Sequence, residues 1–421
     1  MPHGGTAGTP GDMKDHVRAV RPLDGVRVID MARLLAGPLA AQHLADLGAE
    51  VIKIERPREG DDSRSWEPSF ESAGERLSAP FCAANRGKKS VTIDFAHPEG
   101  AKLARDLIVD ADVLIENYKT GTLSRYGLGY EQISEINPDI VYCSVTGFGQ
   151  TGPYSARAGY DTIIQAIGGL MSVTGERDGL PGAGPLRAGV PVIDFMTGIY
   201  GALAVLAALR QRDTTGKGQY IDLSLLDVEV SSLSYFGVNY LASGIVPQRV
   251  GNSNPVTYPS GKFEASDGSI VVLVGNDRQF TKLCAELGRG DLPGDERFVT
   301  SARRVHNAAQ LDQIISPILA SRTSAHWVAI LEERGVPCAP IKNMKEVFED
   351  PQVVARGNVT RSFHPRLGEI PLLASPMRMT GNPITYEVAP PTLGEHNDEV
   401  LGKLPGMGAE RLATLRASGV V

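Results

Sequence analysis

The chain has 421 residues, enough for two compact units with a sizeable core, and its composition is that of neither a disordered nor a fibrous protein. A formal net charge of −7 argues against a general nucleic-acid binder, so any anion it holds must be gripped locally. The eight histidines lack ligand-like spacing, and Cys82, Cys143, Cys284 and Cys338 form no CxxC pair; this implies reduced core thiols, a cytoplasmic location and no metal site.

Residues 1–20 are rich in Gly, Pro and polar residues without an apolar core, and are expected to be a loose tail rather than a signal or anchor. From Gly25 the chain alternates β-branched runs with amphipathic stretches. VRVID predicts a strand, PLAAQHLADLG a helix with Pro38 in its first turn and Gly48 at its end, and EVIKIE the next strand. PEGAKLARDLIVDA and YEQISEINP predict helices, and DVLIEN and IVYCSVTGFG predict strands. That order predicts a parallel sheet with crossover helices. The GxGxxG fingerprint of nicotinamide-binding folds is missing, since the first loop offers only Gly37 before Pro38. The second strand ends in Glu55-Arg56, where an arginine suits a ribose phosphate such as that of coenzyme A.

Gly147, Gly149 and Gly152 crowd ahead of Asp161 in GFGQTGPYSARAGYD. They turn the chain from strand to helix with Asp161 as a cap, or let backbone approach a bulky cofactor and present amides to an oxyanion. The stretch from Phe195 to Leu209 is too short to span a bilayer and predicts a buried core helix, with no membrane association. Asp194 stands at its head. As an N-cap, Asp194 would accept amide hydrogen bonds; as a nucleophile, it would be a carboxylate kept ionised by the helix dipole and shielded from water by the apolar helix behind it. After TTGKGQYIDLSLLD, a turn and strand, residues 229–260 form a linker with a lid candidate over 241–259. A hairpin turning at Asp267-Gly268 opens a smaller unit over 261–335, and 336–421 returns to irregular strands and a short helix.

Quoted together, PLDGVRVIDMARLLAGPLAAQHLADLGAEVIKIERP, ADVLIENYKTGTLSRYGLGYE, GFGQTGP, AGYD, TGKGQYIDLSLLD, GVPCAPIKNMKEVFEDPQV and LGEHNDEVL resemble the class III coenzyme A transferases, from about Pro22 to Val421. The resemblance implies an α/β fold in which a Rossmann-like large domain, built from residues 21–228 and 336–421, joins a smaller central α+β domain in an interlocked homodimer. It implies an aspartate nucleophile at Asp194 and a helper acid at Asp161 that positions coenzyme A or the acyl group. Coenzyme A contacts are implied at Leu35, Ala36, Arg56, Ile93, Asn117, Tyr118, Arg125 and Tyr160. Leu35 stands where the formyl-CoA transferases carry a glutamine, so an oxyanion contact there must come from backbone. RAGYD, RVHN and the stretch after Gly335 are most similar to the succinyl-CoA:dicarboxylate type, acting on glutarate or hydroxymethylglutarate. Acyl-CoA thioesters and a carboxylic acid are then the substrates, and no permanent cofactor is expected. A distal carboxylate calls for an arginine clamp, with Arg33, Arg187 and Arg249 as loop candidates. The α-methylacyl-CoA racemases of the same fold read GHD where this chain has Gly159-Tyr160-Asp161, and a tyrosine is a poor base at neutral pH. A catalytically idle thioester carrier is a third reading, against which the two acids argue.

Overall fold

The computed structural model describes residues 20–421 apart from 73 and 255, so the tail expected over 1–20 lies outside the described residues save for Val20. Strands β1 (Arg27–Asp30), β2 (Glu50–Glu55), β5 (Lys88–Thr92), β6 (Val113–Glu116), β7 (Val141–Thr146) and β8 (Gln219–Ser224) form one parallel sheet in the order β5-β2-β1-β6-β7-β8. A hairpin of β3 (Ser69–Ser72) and β4 (Glu75–Ser78) stands outside it. The sheet order is that of a doubly wound fold, whose strand order reverses between β1 and β6. Residues from both flanks of that reversal line the crevice where such folds bind ligands.

Helices α1 (Ala36–Asp46), α2 (Ala79–Asn85), α3 (Pro98–Ile108) and α4 (Tyr130–Ile136) are followed by α5 (Asp161–Ile167), α6 (Leu170–Val173), α7 (Val192–Thr215), α8 (Leu225–Ser232) and α9 (Ser234–Ser243). Thus 229–243, expected as linker, is helical. One face of the sheet packs Val28, Val51, Val113 and Val141 against α1 and α7. The other packs Ile29, Ile52 and Leu114 against α3 and against Val400, Leu401, Leu412 and Leu415 from the end of the chain. A separate core gathers Tyr258 to Cys338 around β9 (Ser260–Ala265), β10 (Gly268–Leu273) and β11 (Cys338–Pro340). A last hairpin, β12 (Val359–His364) and β13 (Gly368–Leu373), packs Ile370 and Leu372 on Phe81 and Cys82 of α2.

Helix α7 departs from expectation. Its small-residue face, Gly198, Gly201, Ala202 and Val205, is buried, but Phe195, Ile199 and Leu203 remain 47%, 45% and 58% exposed. By length and composition alone α7 could cross a bilayer, yet one face is fixed against α1, so it is half a core helix rather than a fully buried one.

The fit of α7 on α1 is close. A Cβ on Gly198 would stand 2.7 Å from Leu39 Cβ and 3.1 Å from the Ala36 carbonyl oxygen, and one on Gly201 would stand 3.0 Å from Ala40 Cβ. These neighbours belong to the helix body and cannot swing aside. Gly198→Ala is therefore expected to lower the unfolding free energy by about 1–2 kcal/mol, overpacking outweighing the gain in helix propensity. Urea denaturation checks this; a variant as stable as the parent would mean that α1 yields.

Candidate active site

The crevice beyond β1, β6 and β7 holds a pocket of about 150 Å³. Arg33, Leu34, Leu35 and Ala36 line it from the β1–α1 turn, Asn117 to Thr120 from the end of β6, and Val145 to Gly147 from the end of β7. Residues of the 155–160 loop, Asp194 of α7 and Leu225 complete it.

The β1–α1 turn is held from below by buried charge. Lys53, in the apolar run EVIKIE, is fully buried, donates to the Ala32 carbonyl at 2.6 Å and pairs with Asp61 at 2.9 Å. Lys88 donates to Asp30 at 2.7 Å and to the Pro38 carbonyl at 2.8 Å, while Asp30 accepts from the Ala32 N–H at 2.9 Å. Burial pushes the Asp61 carboxyl up, but the Lys53 charge and the Ser63 N–H outweigh it and hold it down at about 2. Asp61 also accepts from the Leu34 N–H at 3.1 Å, fixing Leu34 at a φ of 68°, a left-handed conformation that a leucine rarely adopts. From the side, Asn117 accepts from the Arg33 N–H at 2.8 Å and donates to the Arg33 carbonyl at 2.7 Å. So Asn117 braces the turn as well as lining the pocket.

Asp194 is not an N-cap. Helix α7 starts at Val192 with Pro191 as its cap residue and no side-chain cap of its own, and Asp194 is its third residue. The cap comes from Asp161. Its Oδ2 accepts from the Ile193 N–H at 2.8 Å and the Asp194 N–H at 3.2 Å, and its Oδ1 accepts from Gln165 Nε2 at 2.5 Å. Gln165 in turn accepts from the Ala188 N–H at 2.8 Å, tying down the segment that leads into α7. Asp161 is the first residue of α5 rather than its cap, is 7% exposed and does not line the pocket. Its carboxylate holds the start of α7 without itself reaching the pocket wall.

The Asp194 carboxyl is pushed up to about 7, by burial first and by the Asp161 charge second. These outweigh the helix N-terminus, which favours the ionised form. A third acid stands behind: Glu229 of α8, fully buried, accepts from the Leu170 N–H at 3.0 Å, and burial and the Asp161 charge raise its carboxyl. Gly147 serves the loop packing: a Cβ there would lie 2.5 Å from Gly159 Cα, so strand end and loop touch backbone to backbone.

Of the residues singled out in the sequence, Arg33, Leu35, Ala36, Asn117, Tyr118, Gly147, Tyr160 and Asp194 share the pocket. Arg56 does not. It is 43% exposed in its side chain and pairs with Glu59 at 3.0 Å and Asp62 at 3.2 Å. Ile93 is fully buried in the core beneath the sheet, and Arg125 is exposed on the Leu123–Tyr126 turn. Sequence reasoning missed Lys53, Lys88, Asp61, Gln165 and Glu116. Burial pushes the Glu116 carboxyl up to about 7 although Ser144 and the Tyr118 N–H donate to it. The signal for the lysines was a charge inside a β-branched run; Gln165, four residues after Asp161 on one helix face, was equally readable. Among the described residues no cluster of acids, histidines and cysteines suits a metal ion.

The chain is similar to known proteins along nearly its whole length. The succinate–glutarate CoA-transferase of Agrobacterium fabrum is 46% identical over 405 residues, 96% of this chain and all of that protein. The human succinyl-CoA:glutarate CoA-transferase is 40% identical over 418 residues, 99% of this chain and 94% of that protein. The crystal structure of a CAIB/BAIF family protein from Brucella suis superposes with a TM-score of 0.84 at 44% identity, covering 91% of this chain and 99% of that one. Residues 23–397 match CoA-transferase family III, and the chain belongs to that family.

Proposed function

We propose that the protein moves coenzyme A from succinyl-CoA to a dicarboxylic acid of the glutarate class, with Asp194 as the nucleophile. The observation that carries this is the Asp194 carboxylate in the crevice at the strand reversal, beside the free N-terminal amides of α1. The first N–H groups of a helix have no intrahelical partner, Leu35 provides no side-chain cap and Pro38 has no N–H. The Ala36 amide, at the pocket wall, is thus left to receive an oxyanion, the backbone contact that Leu35 in place of glutamine requires. Relatives of the same length carrying the glutarate name supply the substrate class.

Each bond change has a group to carry it. An Asp194 oxygen attacks the thioester carbonyl of succinyl-CoA, forming a mixed anhydride and releasing the thiolate of coenzyme A. The thiolate attacks the Asp194 carbonyl carbon, releasing succinate and leaving an aspartyl thioester. The acceptor carboxylate displaces the thiolate to give a second anhydride, and the thiolate attacks the acceptor carbonyl. The new thioester leaves and Asp194 is a carboxylate again. Asp161 positions the nucleophile and, by its charge, makes the carboxylate less stable and so more ready to acylate. Arg56 and Arg125, exposed outside the pocket, are the candidates for the phosphates at the nucleotide end of coenzyme A. The racemase reading asks for a base at Tyr160, which is 61% exposed at the rim.

The partner is a second copy of this chain, interlocked with the first. Phe195, Ile199 and Leu203 on α7, and Tyr235, Val238 and Leu241 on α9, are all more than 40% exposed, an apolar surface that water does not favour. A pocket of 150 Å³ is also smaller than cofactor sites usually are, as expected where another chain completes the walls.

Incubation with succinyl-CoA followed by hydroxylamine should leave a hydroxamate on the Asp194 peptide, read by mass spectrometry, and Asp194→Ala should lower transfer by at least about 1000-fold. Transfer with label on another residue would overturn the assignment. Because the nucleophile must be ionised, the rate should rise with pH through about 7. Asp161→Asn, which keeps an acceptor for the α7 amides but loses the charge, should move that midpoint down.

The same shift predicts a stability effect. From about pH 4 to 7 the folded chain keeps a proton on Asp194 that the unfolded chain has released, so its contribution to stability is lost as pH rises through that window. Asp194→Asn, which mimics the neutral acid, should raise the unfolding free energy by about 1–2 kcal/mol at pH 8 and by almost nothing at pH 4. Denaturant titrations at both pH values check this; an equal effect at both would show that the carboxylate is not strained.

A further inference from the structure

The pocket that Asp194 lines also contains three cationic residues, Arg33, Lys119 and Arg157. Lys119 is exposed, and Arg157 is exposed with its guanidinium 3.8 Å from the centroid of the Tyr154 ring. Arg33 is built differently. Its main chain is clamped by Asn117 on both the N–H and the carbonyl, and its guanidinium lies 4.9 Å from the centroid of the Tyr118 ring. Its Nη1 pairs with Asp62 at 3.1 Å. Its Nε–H is shut off from water and has no acceptor among the described residues.

An arginine takes a carboxylate best through two parallel hydrogen bonds from one edge of its fork. Asp62 engages Nη1 only, and Asp62 is shared with Arg56 at 3.2 Å, so the edge that includes Nε is unused. A buried donor without an acceptor is a standing cost that an incoming carboxylate removes and a methyl group does not. The other arginines considered from the sequence are occupied elsewhere. Arg249 pairs with Asp178 and reaches the Glu176 carbonyl at 3.3 Å, Arg187 reaches the Ala188 carbonyl at 3.2 Å, and neither lines the pocket.

We propose that Arg33 selects dicarboxylic substrates: its guanidinium turns so that the Nε edge, covered in this structure, receives the distal carboxylate of the succinyl group, and then of the acceptor, while Asp194 reacts with the proximal carboxyl. This rests on the transferase reading above. Arg33 is a specificity residue and takes no part in the bond changes.

The test compares glutarate with pentanoate, which has the same chain length and no distal charge, as acceptors from succinyl-CoA and from butyryl-CoA. The wild type should prefer glutarate in kcat/KM. In Arg33→Gln the glutarate-to-pentanoate ratio should fall by roughly 30- to 100-fold, the scale of a lost charged hydrogen bond, with partial recovery in Arg33→Lys. A second readout does not need pentanoate to turn over. Glutarate should accept coenzyme A from butyryl-CoA better than glutaramate, its monoamide with a single carboxylate, in the wild type, and equally well in Arg33→Gln. An equal loss for both acids, or a ratio that collapses in Arg157→Gln but not in Arg33→Gln, would overturn the assignment. A wild type that labels Asp194 and transfers coenzyme A yet does not distinguish the two acids would overturn it while leaving the transferase reading intact. A wild type that transfers to neither acid would overturn both.

Discussion

The close approach of α1 to α7 is the constraint from which the site follows. Gly198 and Gly201 carry no Cβ where Leu39, Ala36 and Ala40 press in, so the two helix bodies meet almost at backbone contact. Both helices begin at the same crevice, α1 at Ala36 and α7 at Val192, and both starting turns face the pocket. One turn offers free amides and the other a carboxylate. A thioester carbonyl between them would meet its nucleophile and its oxyanion donors from two rigid elements rather than from loops, the arrangement that holds reacting atoms most reproducibly.

Charge is distributed to keep this arrangement reactive. Asp161 caps α7 and thereby holds Asp194, but it also stands as a like charge that, with burial, raises the Asp194 carboxyl to about 7. One residue therefore sets both the position and the reactivity of its neighbour. Beneath the α1 turn the opposite logic holds. Lys53 and Lys88 are fully buried but matched by Asp30 and Asp61, so their charges serve to fix backbone, including the left-handed Leu34, rather than to react. The costly groups left over are the Asp194 carboxyl and the Arg33 Nε–H, which a bound substrate would relieve.

The parallel sheet was readable because its strands are β-branched runs separated by amphipathic helices, and the position of Asp194 was readable because an acid at the head of a long apolar stretch is conspicuous. What escaped depended on contacts remote in sequence. Asp194 and Asp161 are both acids beside helix starts, and nothing local says that Asp161 caps the helix of Asp194 from 32 or 33 residues away. Strand β5, KKSVT, carries two lysines and does not look like a strand of a buried sheet until Lys88 is seen to find Asp30. The outer face of α7 was misjudged for a related reason, since an apolar stretch shows that a surface wants covering but not which chain covers it.

That outer face bears on chemistry as well as assembly. Asp194 and Phe195 are consecutive on α7, so the helix that holds the Asp194 carboxyl in the pocket also presents Phe195, Ile199 and Leu203 outward. A partner chain seated on those residues would fix α7 from the side that α1 does not touch. The first turn of α7 would then be pinned by Asp161 at its amides, by α1 along its glycine face and by the partner along its apolar face. A carboxylate that burial and a like charge make costly to ionise needs such support, because a helix free to tilt would relieve the strain by moving Asp194 toward water. In the proposed dimer, assembly and reactivity would thereby be linked through one helix: covering the apolar face of α7 would let Asp194 stay strained.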